Sequence, residues 1–181
     1  MVTSVTTDVR ASRSRTALVA AVEDVLDQGS WSDLTIRGLC HRAGVSRPTF
    51  YQHFASPEEL LGATIRHRLD QARAGVCSTA DVPEVLTAAL TRLDGERREY
   101  ACLSAHPTVY AQVQAAFQDW LTGRLRERYP EASDVVVSYV VGGIARVMGE
   151  WLAAEVDRPT PEQLARTLWT LNRAVLGVTE H

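Results

Sequence analysis

From Leu34 to Pro57 the chain carries Arg37, His41, Arg42, Arg47 and His53 and neither Asp nor Glu. The whole protein has a formal net charge of -3, which argues against a basic coat for nucleic acid, yet this window is a local patch that attracts phosphate. Side chains able to meet a duplex stand beside it. Gln52 can pair with an adenine edge, the Thr49 methyl or the Pro48 ring can touch a thymine methyl, and Tyr51 can bond a phosphate. Arg47 adds positive charge at the start of a short helix, where the backbone dipole already favours a phosphate.

The chemistry on offer is recognition rather than bond making. The sequence holds no Gly-rich phosphate loop, no His-Glu metal motif and no nucleophile elbow. Of the five histidines, His41, His53 and His67 lie in or beside the basic window, leaving His106 and His181. The pair Glu58-Glu59 is explained by helix capping. Cys102 and His106 are four residues apart, but two ligands do not close a metal site. Neither an enzyme nor a metal or other cofactor is therefore expected. The three cysteines, Cys40, Cys77 and Cys102, show no CxxC spacing, so buried, inert thiols are the expectation and a redox sensor the alternative.

The elements that must position these groups are helical. Apolar residues recur every three or four positions almost throughout, which predicts an all-α protein of about nine helices. The first runs from Arg10 to Gln28 with Leu18, Val22, Val25 and Leu26 inward, and Gly29 stops it. The next starts at Thr35 and ends at Gly44, and a shorter one starts at Ser46. Gly44 can take the left-handed conformation that a sharp turn between them needs. Phe50 and Phe54 share the inward face of the second short helix. Ser56-Pro57-Glu58-Glu59 signals another start, with a helix to about Arg73, and Ala74 to Asp81 reads as a linker. Body helices fit Val82 to Leu93, Glu96 to Ser104, Pro107 to Arg128, Ala132 to Val156 and Pro161 to about Val178, the last opened by the capping box Thr160-Pro161-Glu162-Gln163.

The stretch Thr35-Ile36-Arg37-Gly38-Leu39-Cys40-His41-Arg42-Ala43-Gly44-Val45-Ser46-Arg47-Pro48-Thr49-Phe50-Tyr51-Gln52-His53-Phe54 resembles the headpiece signature of the TetR (tetracycline repressor) family. Ala20, Ala21, Gly29, Glu58 and Leu60 also fit its pattern. The resemblance implies an N-terminal helix-turn-helix DNA-binding domain over 1–55 and an effector-binding and dimerisation domain over 56–181, with the helix from about 57 to 73 connecting them. It further implies that Thr35, Tyr51 and His53 hold phosphates while Arg47, Pro48, Thr49 and Gln52 lie near base edges. The partners it implies are a near-palindromic double-stranded operator, a second copy of the chain and a small-molecule effector, with repression as the usual outcome. Two positions depart from the pattern: Pro57 stands where a phosphate-binding lysine is frequent, and Gly38 is a weak helix former, costing about 1 kcal/mol relative to Ala if exposed.

With 181 residues and 45% apolar content, the chain can bury a core large enough for such a headpiece and body. The residues Met1 to Arg15 lack a secretory core and the apolar runs look too short to span a bilayer, so a cytoplasmic protein without a membrane partner is expected. Large or polar-tipped side chains of the body, Tyr100, Tyr110, Phe117, Trp120, Tyr139, Met148 and Trp151, are the candidates for a ligand pocket. Gly142, Ala145, Gly149 and Ala153, with Leu168, Leu171 and Val175, are the candidates for a dimer seam, where small residues let helices approach closely. Two rival readings stay open: a DNA-binding dimer without an effector, and a helical enzyme or adaptor whose helix-turn-helix has become structural.

Overall fold

The structure, a computed structural model, describes residues 3–74, 82–98, 100 and 106–177. Eight α-helices and one short 3-10 turn make up the described residues, with no strand among them. They are α1 (Thr3–Gln28), the turn Trp31–Asp33, α2 (Ile36–Ala43), α3 (Arg47–His53), α4 (Pro57–Ala74), α5 (Val82–Gly95), α6 (Pro107–Arg128), α7 (Asp134–Ala153) and α8 (Pro161–Val175). The expected helix Glu96 to Ser104 lies largely outside the described residues, as does most of the expected linker. Helix α1 begins at Thr3 rather than Arg10, since no Gly or Pro interrupts the stretch between them.

Two cores organise these helices. The first gathers Leu18, Val22, Val25 and Leu26 of α1, Leu39 of α2, Phe50 of α3 and Leu60, Leu61 and Ile65 of α4, and it extends to Val113 and Ala116 of α6. The stripe expected on α1 is thus its buried stripe. The second core joins Leu90 of α5, Val140, Ile144 and Trp151 of α7 and Leu164, Ala165 and Leu168 of α8. Helix α4 packs on both α1 and α6, so one rigid element carries the headpiece core into the body. Arg68 of α4 fastens it to α1 through Asp27 at 2.5 Å. Burial works against the Arg68 charge, but the hydrogen bond to Asp27 and the nearby Asp27, Glu96 and Glu23 carboxylates raise its pKa further above an already high ordinary value.

Helix α7 corrects one expectation. By length and composition it is apolar enough to cross a membrane, although the apolar runs had looked too short. Its apolar residues are divided between two faces. Val137, Val140, Val141, Ile144, Ala145 and Trp151 are buried in the body, whereas Val135 and Tyr139 on the other side are exposed. Arg97 supports the C-terminal end of α7 by donating to the Leu152 carbonyl at 2.9 Å and to the Ala154 carbonyl, which satisfies acceptors the helix itself leaves unpaired.

Candidate nucleic-acid interface and body cavity

Local rules build the headpiece turn. Thr35 caps α2 by accepting from the Gly38 N–H at 3.1 Å. The helix ends at Gly44 with φ 63° and ψ 31°, a left-handed conformation that costs glycine little. Val45 then donates back to the Cys40 carbonyl at 3.0 Å. Ser46 caps α3, its hydroxyl accepting from the Thr49 N–H at 3.2 Å. Helix α3 is held from beneath by Phe50, fully buried, and by Phe54, 3% exposed, whose rings stand 6.2 Å apart. The Arg15 guanidinium of α1 lies 4.7 Å from the Phe54 ring centre. A helix with only one buried face offers the rest outward.

The residues singled out for DNA lie on α3, apart from Thr35 at the N-terminus of α2. Thr35, Arg47, Pro48, Tyr51 and Gln52 are exposed, and Thr49 and His53 are half-buried. Tyr51 is 58% exposed despite its size, with its ring edge-on to Phe50 at 5.7 Å. Exposed Arg37 and His41 line an adjoining concavity with Thr35 and extend the basic surface beyond the residues singled out for DNA. Their signal was already in the acid-free window. Arg42, counted in the same window, is instead half-buried and engaged, pairing with Asp33 at 2.7 Å and donating to Gln28 at 3.1 Å.

Gly38 also acquires a reason. A Cβ there would lie 2.5 Å from the Asp33 carbonyl oxygen, so the glycine lets α2 pass close over the 3-10 turn. Cys40 is buried and free. Burial pushes its thiol pKa up, with Arg47 acting in the opposite direction; a protonated thiol in a core is an unreactive one. Cys77 and Cys102 lie outside the described residues. Among the described residues no group of three or more His, Cys, Asp or Glu is arranged to hold a metal.

In the body a cavity of about 370 Å³ opens between α4, α5, α6 and α7. Helix α4 lines it with Ile65 and Leu69, α6 with Tyr110, Val113, Gln114 and Phe117, and α7 with Ala145, Met148, Gly149 and Leu152. Four of the expected pocket residues, Tyr100, Tyr110, Phe117 and Met148, line it. The other three are elsewhere. Trp120 donates to Asp70 at 2.8 Å, Tyr139 is 68% exposed on the outer side of α7, and Trp151 sits in the second core, donating to the Pro159 carbonyl at 2.8 Å.

The expected seam residues divide in the same way. Ala145 and Leu168 are buried within the chain, while Leu171 is 62% and Val175 39% exposed. Gly142 and Ala153 are exposed as well. Gly149 faces Tyr110, whose hydroxyl would lie 3.0 Å from a Cβ at that position.

A two-helix turn with one buried face and an exposed outer surface, set on further helices that enclose a cavity, defines the class of helix-turn-helix proteins. Residues 17–64 match the family model of bacterial regulatory proteins of the tetR family. The chain is 33% identical over 67 residues to the HTH-type transcriptional regulator EthR of Mycobacterium tuberculosis, covering 37% of this chain and 31% of that protein. It is 37% identical over 67 residues to the HTH-type transcriptional activator FasR of Mycolicibacterium smegmatis, covering 37% and 30%. The matched stretch thus spans about a third of the length of these curated relatives. The fold as a whole is similar to a TetR transcriptional regulator from Streptococcus agalactiae, with TM-score 0.60, 22% identity and coverage of 93% of this chain and 98% of that one. It is also similar to the dihydroxyacetone kinase operon activator DhaS, with TM-score 0.57, 16% identity and coverage of 93% and 98%. The headpiece, residues 17–64, is thus similar to that of the tetR family of bacterial regulatory proteins.

Proposed function

We propose that this protein is a homodimeric DNA-binding transcriptional regulator, a repressor released from its operator when a small molecule enters the body. The observation that carries the DNA-binding reading is the outward face of α3, where Arg47, Pro48, Tyr51 and Gln52 are all exposed over a helix held by Phe50 and Phe54. In this reading Arg47, Pro48, Thr49 and Gln52 meet base edges, and Thr35, Tyr51 and His53 meet phosphates. The domains divide at about residue 55, and α4 connects them.

The dimer reading rests on apolar surface left uncovered by one chain. Val135 and Tyr139 of α7 and Leu171 and Val175 of α8 are exposed, and Gly142 and Gly143 have open space where a side chain would be. A second copy laid on this face buries it and sets two recognition helices about 34 to 36 Å apart, one helical turn of DNA. The effector reading rests on the cavity. Ile65 and Leu69 line it from α4, the helix that also packs on α1, so a ligand that favours one α4 position shifts the headpiece with it. Repression is the usual outcome of the resemblance, although two of the similar proteins are named activators.

Selection of bound fragments from random duplex DNA tests the reading. Two half-sites related by a dyad are expected, and Leu171→Arg should reduce the selected site to one half. Enrichment of no sequence would favour the structural helix-turn-helix instead. Leu93→Trp, which fills the cavity, should keep DNA binding and abolish release by effector; unchanged release would contradict the effector site.

A further inference from the structure

We infer that the body cavity takes an uncharged amphiphile, with an apolar body in the hollow and a hydroxyl or amide head on the Tyr110–Gln114 pair. The inference rests on the effector reading above and names the chemical class that the site selects.

The first observation is the character of the wall. Ile65, Leu69, Val113, Phe117, Met148 and Leu152 line the hollow, and among the described lining residues Glu155 is the sole acid and there is no Arg or His. Glu155 is exposed, so water screens it. A charged head drawn inside would lose its hydration without a partner, which is far costlier than burying a neutral polar group that can be hydrogen-bonded. The volume of about 370 Å³ lies near the small end of sites for small molecules, about 300 to 1,000 Å³.

The second observation is the polar pair. Gln114 Nε2 donates to the Tyr110 Oη at 2.9 Å. That bond uses an acceptor of the phenol and one amide proton, so the Tyr110 O–H can still donate and the Gln114 Oε1 can still accept. Both residues are half-buried, and both line the cavity and also the open groove on the outer side of α7. The pair therefore sits where the hollow meets that groove, on the face of α7 that the proposed second copy covers, which orients an amphiphile with its head toward the groove. Gly149 leaves room for this arrangement, since a Cβ would meet the Tyr110 Oη at 3.0 Å and the Gln114 Nε2 at 3.6 Å. In the outer groove Arg146 is paired with Glu150 at 2.6 Å, so the local charge is already balanced. A ligand alcohol or amide supplies the missing acceptor and donor at once.

Titration calorimetry on the full chain tests this with hexanol, octanol and decanol, the matching amides, decanoate and decylammonium. Affinity should rise roughly fifteenfold for every two methylenes until the hollow is full. Decanoate and decylammonium should bind more than about tenfold weaker than decanol. Tyr110→Phe should weaken decanol about fivefold to tenfold, and Gly149→Val should do at least as much while the fold, checked by circular dichroism, is kept. Tighter binding of either ion overturns the head-group class and leaves the cavity standing as an effector site. Binding of none of the neutral compounds also overturns the class, with the effector reading then decided by Leu93→Trp. Binding of decanol that releases no DNA supports the class and overturns the effector reading.

Discussion

At Gly38 two effects of a single methyl group oppose each other. Ala is a better helix former by about 1 kcal/mol, yet its Cβ would lie 2.5 Å from a backbone oxygen of Asp33, and overpacking of that kind costs about 1 to 3 kcal/mol. Gly38→Ala is therefore expected to lower the urea midpoint; a raised midpoint would show that the turn yields. Propensity alone pointed the other way, because the neighbour that decides the matter is a folded-back turn rather than an adjacent residue. Arg42 teaches the same lesson. It reads as part of a phosphate-facing patch until its partner Asp33, one residue outside the acid-free window, closes on it. Cys40 behaves as its burial dictates. In a Cys77→Ser, Cys102→Ser background, thiol labelling at neutral pH should proceed only as the headpiece unfolds, and rapid labelling of the native state would contradict a buried, protonated thiol.

At the scale of elements, caps were the most legible features, since their chemistry is local. Thr160 accepts from the Gln163 N–H at 3.3 Å and Gln163 accepts from the Thr160 N–H at 2.9 Å, the reciprocal pair read directly from four residues. Thr160→Ala should cost about 1 kcal/mol in thermal or urea unfolding at neutral pH. The hydrogen bond to Thr160 also lowers the Glu162 carboxyl below its ordinary value of 4.5. A lowered folded-state pKa stabilises above the unfolded value and ceases to do so as pH falls through the folded one. The penalty of Thr160→Ala should accordingly shrink below pH 4.5, and a penalty that grew on acidification would contradict the cap. Turn Gly44 and the Phe50–Phe54 face were legible for the same local reason. The start of α1 was less so, because the weak formers before Arg10 neither favour a helix strongly nor forbid one.

On the whole-molecule scale, periodicity identifies the inward face of each helix but not the helix that face meets. That is why Tyr110, Phe117 and Met148 line the cavity while Trp151, equally aromatic and inward, belongs to the buried core that α5, α7 and α8 share. It is also why Leu168 and Leu171, three residues apart on α8, end respectively buried and exposed. Exposed Leu171 makes the dimer testable: Leu171→Arg should shift the sedimenting species to a monomer without lowering helix content, and an unchanged dimer would assign the seam elsewhere. The central claim is that α3 reads DNA, and a binding titration of the full chain on its selected duplex at two salt concentrations tests it most directly. Wild type should bind tightly and weaken steeply with salt, Arg47→Ala should lower affinity for the selected duplex and relax its sequence preference, and Tyr51→Ala should weaken all sequences alike. Equal affinity and equal sequence preference for both variants and wild type would contradict the claim.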